Sequence, residues 1–89
     1  MMGDLQGFLT PEQLVDMAMH DLAIDIPVAE LPDADIKKIM HYIGVWASQV
    51  ETPAIENSKI SSFGIGVMLS VCLQVFPDYF QKFELWQEN

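Results

Sequence analysis

The feature that most constrains the fold is a run of seventeen residues without a charged side chain, from Ile60 to Phe76. Wound as a helix, this run is apolar around its whole circumference, which is typical of a helix that other helices surround. The run is shorter than the roughly 20 residues that a membrane span needs, and it contains three serines and Gln74, so we expect a buried core helix. Its β-branched residues leave a buried strand as the alternative.

Local signals predict a helix before this run. Thr10 and Gln13 have the spacing of a capping box, and Pro11 suits the first helical position. Because Pro27 cannot continue a helix, we expect the helix to end at about Asp25. Apolar side chains fall on one side of it: Leu14, Val15, Ala18, Met19, Leu22 and Ile26.

Two more segments show helical spacing. Asp33 is expected to cap a second helix, whose core stripe recurs every three or four residues: Ile36, Ile39, Met40, Ile43, Trp46, Ala47 and Val50. The opposite face holds Lys38, Tyr42, Val45 and Gln49. A last helix follows Pro77 and aligns four aromatic residues: Tyr79, Phe80, Phe83 and Trp86.

These signals together predict an all-α fold, a small bundle of four helices at about residues 11–25, 33–50, 59–76 and 78–87. Its central element is the apolar helix from Ile60 to Phe76, and Trp46 and Phe63 are expected core residues. A chain of 89 residues fits one domain, 1–89, in which residues 1–9 are an expected flexible N-terminus. We expect a short helical turn at residues 53–56, and we expect Ser58 to cap the third helix.

The charge balance limits the partners. The chain has four Lys, no Arg and a net charge of −9. Four scattered Lys cannot neutralise several phosphates, so direct nucleic-acid binding is not expected, and anionic membranes are disfavoured for the same reason. The charge favours a basic protein partner. The alternative is that it only keeps an apolar domain soluble.

The compartment and the oligomeric state follow from other features. Cys72 is the only cysteine, so it cannot form an internal disulfide, and the first nine residues lack the pattern of a signal peptide. Both observations favour the cytoplasm. With 51% apolar residues in so small a chain, some apolar surface can remain exposed, which leaves a homodimer open.

The patterns of metal and catalytic sites are weak here. Glu12, Asp16 and His20 lie on one helical strip but span about 12 Å, too far for one ion without another helix, so we expect no metal site. No nucleophile elbow, phosphate-binding loop or dinucleotide fingerprint occurs, and no cation lies near Cys72 in sequence to activate it. The glycines at 64 and 66 are expected to permit close helix packing. The sequence therefore predicts neither an enzyme nor a cofactor.

The candidate partner-binding residues lie mainly on the first helix. Met17 and Ile24 point away from its core stripe, and acidic residues surround them, which resembles a docking patch with an apolar centre. Packing against a neighbouring helix is the alternative for this pair. The predicted partner-binding set is Asp16, Met17, His20, Asp21, Ile24 and Asp25, with Tyr42 of the second helix as an anchor.

The function that these features favour is that of an adaptor or inhibitor that docks on a basic surface of a larger protein. If that surface normally binds nucleic acid, an array of carboxylates can occupy it, as in a small phage or mobile-element protein that blocks its target. This last step is an analogy from size and charge. The alternative is a structural homo-oligomer whose acidity only confers solubility.

Overall fold

The structure is a computed structural model that describes residues 9–52 and 59–87, with side chains as far as Lys82. Its elements, in chain order, are α1 (Pro11–Leu22), a 3₁₀ helix (Val28–Glu30), α2 (Asp33–Glu51), α3 (Ser62–Val75) and α4 (Pro77–Gln87). None of the described residues lies in a strand, so the all-α prediction is confirmed and the strand alternative for residues 60–76 is wrong. The predicted turn at 53–56, the cap at Ser58 and residues 1–8 lie outside the described residues.

Helix α1 begins as the sequence predicts. The Gln13 amide N–H donates to Oγ1 of Thr10 at 3.1 Å, and the Thr10 amide N–H donates to Oε1 of Gln13 at 2.8 Å. This reciprocal pair is the expected capping box.

The end of α1 differs from the prediction. Ala23 has a φ of 58°, in the left-handed region, and the Ile24 amide N–H donates to the carbonyl of Met19 at 2.9 Å. The chain therefore leaves the helix after Leu22 in a left-handed turn, before Pro27 can stop it. Ile24 and Asp25 consequently lie outside α1, not on its surface as the helical spacing predicted.

Helix α2 begins at Asp33, and its N-cap residue is Pro32, which provides no side-chain hydrogen bond. The prediction that Asp33 caps this helix is therefore wrong. Asp33 is the first helical residue, where a carboxylate still complements the helix dipole. One of its oxygens lies 2.8 Å from Nζ of Lys82 on α4, and both side chains are about half exposed.

Helix α3 packs against α1, α2 and α4, as expected of the central helix. Its neighbours do not cover its whole circumference, however, because one side of it faces solvent. Phe63 is 48% exposed, so its predicted place in the core is wrong. Trp46 of α2, the other predicted core aromatic, is only partly buried, although it packs against the core.

The core lies between α1, α2 and the inner side of α3, and Tyr79 of α4 closes it. Phe80 of α4 is partly buried against it, whereas the side chains of Phe83 and Trp86 lie outside the described part. The core cluster consists of Leu14, Val15, Ala18, Leu31, Ile36, Ile39, Met40, Ile43, Val71, Cys72, Phe76 and Tyr79.

One buried hydroxyl joins α2 to the start of α3. Ser48, fully buried, donates to the carbonyl of Gly44 at 2.7 Å and accepts the amide N–H of Ser61 at 2.8 Å. The Ser61 hydroxyl in turn accepts the amide N–H of Gly64 at 3.1 Å and caps α3. Glycine is required at 64, because a Cβ there would lie 2.1 Å from Oγ of Ser48. The expected close helix packing is therefore present at Gly64. It is wrong for Gly66, which is exposed and where an added Cβ would meet no described atom within 4 Å.

Candidate interaction surface

The three acidic residues predicted to bind a partner are all exposed and are here called the acidic edge: Asp16 and Asp21 of α1, and Asp25 after it. Among the described side chains, none of the three takes part in an ion pair. His20 lies between them in sequence and is also exposed. The negative charge of the acidic edge is therefore available to an approaching cation.

The apolar pair beside the acidic edge is only partly accessible. Met17 and Ile24 are both half-buried and pack against the core cluster. Part of each side chain thus contributes to the fold, which is the packing alternative, and the remainder lies next to the acidic edge. A partner contact on these two residues is limited to their exposed portions.

Tyr42 connects the acidic edge to α2. Its hydroxyl donates a hydrogen bond to a carboxylate oxygen of Asp21. This hydrogen bond raises the pKa of Tyr42 above its ordinary value, and partial burial and the Asp21 charge raise it further. Of the predicted binding residues, the structure thus brings Tyr42 and Asp21 into direct contact.

An open groove lies against α2, beside Tyr42. Its volume is about 780 Å³, and its lining is mostly apolar. The lining residues, here called the α2 groove, are Leu22, Ala34, Lys37, Lys38, His41, Tyr42, Val45, Trp46 and Gln49. All four residues predicted to lie opposite the core stripe of α2 are among them. Side chains that can be charged lie towards the N-terminal half of α2, and Val45 and Trp46 towards its C-terminal half.

The sequence did not identify Trp46 as part of this surface. Its spacing matches the core stripe of α2, and the prediction placed it inside. The signal that could have corrected this is Tyr42 of the opposite stripe, four residues before Trp46. Residues i and i+4 are neighbours on the surface of a helix, so Trp46 sits at the edge of the core stripe. Trp and Tyr are also the residue types that most often anchor protein interfaces.

Other chemistry is poorly supported by the described side chains. Cys72 is buried, and burial raises the pKa of its thiol, which disfavours the reactive thiolate. In the part of the chain that the structure describes, no group of three or more His, Cys, Asp or Glu residues is placed to hold a metal ion. The strip of Glu12, Asp16 and His20 thus gains no further ligand from the described residues of other elements.

Comparisons with known proteins do not assign this surface. Neither models of protein families, nor the sequences of curated proteins, nor solved structures match the chain. None of the described helices combines the length and the apolar character that crossing a bilayer requires.

Proposed function

We propose that this protein is a non-enzymatic interaction module that docks on a basic surface of a larger protein, as an adaptor or an inhibitor. The observation that carries the proposal is the contact between Asp21 and Tyr42, because it joins the acidic edge to the α2 groove. Charge and apolar area then lie side by side on one surface. Protein interfaces commonly combine an apolar centre with a charged rim.

The charge determines the chemistry of the partner. The chain carries −9 overall, and no described ion pair neutralises a residue of the acidic edge. A basic partner surface would be attracted to this edge from a distance and oriented by it. An apolar or aromatic side chain of the partner would then enter the α2 groove against Tyr42 and Trp46. A partner that normally binds nucleic acid suits this arrangement, since carboxylates can take the place of phosphates.

The alternative function is a structural homo-oligomer whose charge only keeps it soluble. It is supported by the apolar residues that α3 exposes, which the proposed docking surface does not use. The two functions differ in the role of the acidic edge. An adaptor needs it for binding, whereas a structural subunit does not.

The experiment is affinity capture from an extract of the organism that encodes the protein, with three versions of the chain as bait. The first is the natural chain. The second, the edge variant, carries Asp16→Asn, Asp21→Asn and Asp25→Asn. The third is a control with the same change in net charge at exposed positions elsewhere: Glu30→Gln, Glu51→Gln and Asp78→Asn.

A basic protein that the natural chain and the control retain, and that the edge variant loses, supports the proposal. If the edge variant and the control retain the same proteins in the same amounts, the acidic edge is not a docking site. Circular dichroism of all three baits checks that each is folded.

A further inference from the structure

The α2 groove has the form that helix packing requires. Its residues on α2 make up two adjacent rows, in each of which successive residues are four positions apart. One row runs from Ala34 through Lys38 and Tyr42 to Trp46, and the other from Lys37 to Gln49. Side chains at this spacing form ridges, and a second helix packs by placing its own ridge between two of them. The rows extend over about 22 Å, which is about four turns of a helix.

The described helices of the chain leave these rows open. Apart from Leu22 of α1, no described residue of another element lines the groove. Tyr42, Val45 and Trp46 are accordingly only partly buried. The two rows thus lack a packing partner among the described helices.

The charges in the groove differ from those of the rest of the chain. Two of the four lysines, Lys37 and Lys38, and one of the two histidines, His41, lie in its N-terminal half. None of the lining residues is acidic. Neither lysine forms an ion pair with a described side chain. Both cations are therefore available to an anionic group of another molecule, although the chain as a whole is strongly acidic.

These lysines exclude a docking segment that is basic throughout, because it would bring like charges together in the groove. A carboxylate placed over Lys38 forms an ion pair instead. Lys38 and Trp46 lie on the same row about 12 Å apart, so one helix along the row can reach both. We propose that the α2 groove binds an amphipathic helix of the partner, which places an acidic residue at Lys38 and an apolar residue two turns away at Trp46.

This inference rests on the proposed docking function and adds the chemistry of the segment that docks. Tyr42 belongs to the first row and donates its hydrogen bond to Asp21, so the acidic edge lies beside the helix site. The partner then carries both signs of charge, with basic groups towards the acidic edge and a carboxylate towards Lys38. A basic protein without that carboxylate is attracted by the net charge but fits the groove poorly, which provides specificity.

The test measures the binding of two synthetic helical peptides to the full chain by fluorescence anisotropy. Both peptides have the same apolar stripe, contain no Trp and carry lysines on their polar sides. The acid-bearing peptide has a glutamate two turns from the central leucine of the stripe in each direction, so that either orientation brings one to Lys38. The basic peptide has lysines at those two positions.

Lys38→Glu should weaken the binding of the acid-bearing peptide by about tenfold, because an ion pair becomes a repulsive contact. The same substitution should leave the basic peptide bound as tightly as before, or more tightly. Lys59→Glu is the matched control, since Lys59 is also exposed, lies outside the groove and undergoes the same change of charge. The control should affect the acid-bearing peptide much less than Lys38→Glu does. Circular dichroism checks that both variants are folded.

The fluorescence of Trp46 tests the apolar end of the site. In a Trp86→Phe background, the acid-bearing peptide should shift the Trp46 emission to shorter wavelength, because the peptide removes the exposed part of the ring from water. Unchanged emission in a complex that anisotropy shows to be formed places the helix elsewhere and overturns the inference.

Two further results would overturn it. One is an acid-bearing peptide that does not bind the natural chain, and the other is an equal effect of Lys38→Glu and Lys59→Glu on its binding. If the edge variant nevertheless loses its captured partner, the proposed docking function stands and only the helix site fails. If the peptides behave as expected while the edge variant loses nothing, the helix site stands and the acidic edge has no part in docking.

Discussion

The Tyr42 hydroxyl donates a hydrogen bond to Asp21, and this contact links α2 to α1. The hydrogen bond favours the protonated phenol, and it is the largest reason why the pKa of Tyr42 lies above its ordinary value of 10.0. Since the proposed docking surface depends on this contact, the titration of Tyr42 reports on whether the acidic edge and the α2 groove are joined.

The titration gives a prediction. Because the folded-state pKa of Tyr42 is raised, the contact contributes stability that is complete below the ordinary pKa and is lost as the pH rises through the raised value. Asp21→Ala should therefore lower the pKa of Tyr42 towards its ordinary value. Phenolate absorbance measures this in a Tyr79→Phe background, because burial raises the pKa of Tyr79 as well. An unchanged pKa would show that the contact is absent in solution.

The two glycines of α3 give predictions of opposite sign. In Gly64→Ala the new Cβ would lie 2.1 Å from Oγ of Ser48 and 2.5 Å from the carbonyl of Gly44, so α2 and α3 must move apart. We expect a loss of about 2 kcal/mol or more in the free energy of unfolding. The Cβ of Gly66→Ala meets no atom of the described residues within 4 Å, and its better helix propensity should raise that free energy by up to about 1 kcal/mol.

Urea denaturation measures the free energy of unfolding of both glycine variants. The protein concentration is kept low enough that the midpoint of unfolding does not depend on it. Equal effects of the two substitutions would contradict the close approach of α2 and α3 at Gly64.

The buried hydroxyl of Ser48 gives a third prediction. Ser48→Ala removes the acceptor of the Ser61 amide N–H in a part-buried junction, and we expect a loss of about 1–3 kcal/mol. The control is Ser62→Ala, at the exposed position that directly follows Ser61. It should change the free energy of unfolding by less than about 0.5 kcal/mol. If both variants unfold alike, the Ser48 junction does not hold α2 to α3.

Much of the fold could be predicted because its signals are local. The capping box at Thr10 and the proline at 77 act on neighbouring residues, and the structure has helix starts at Pro11 and Pro77. The end of α1 could not be placed in this way. Alanine rarely adopts the left-handed conformation that Ala23 has, so nothing in the sequence marked the turn there.

The surface was harder to predict than the fold, because exposure depends on how many helices surround each one. Residues 60–76 are apolar all round, and that pattern indicated full burial. In the structure, helices cover only part of α3, and Phe63 is exposed. The contact of Tyr42 with Asp21 joins residues 21 positions apart, which no spacing along one helix can reveal.

The most direct measurement of the central claim is the rate at which the protein associates with a captured basic partner, followed over a range of salt concentrations. The natural chain should associate fast at low salt and markedly more slowly at physiological salt, where charges are screened beyond about 8 Å. The edge variant should associate more slowly than the control of equal net charge, while dissociation changes less. If the edge variant and the control associate at the same rate at low salt, the acidic edge does not guide docking, and its charge serves only solubility.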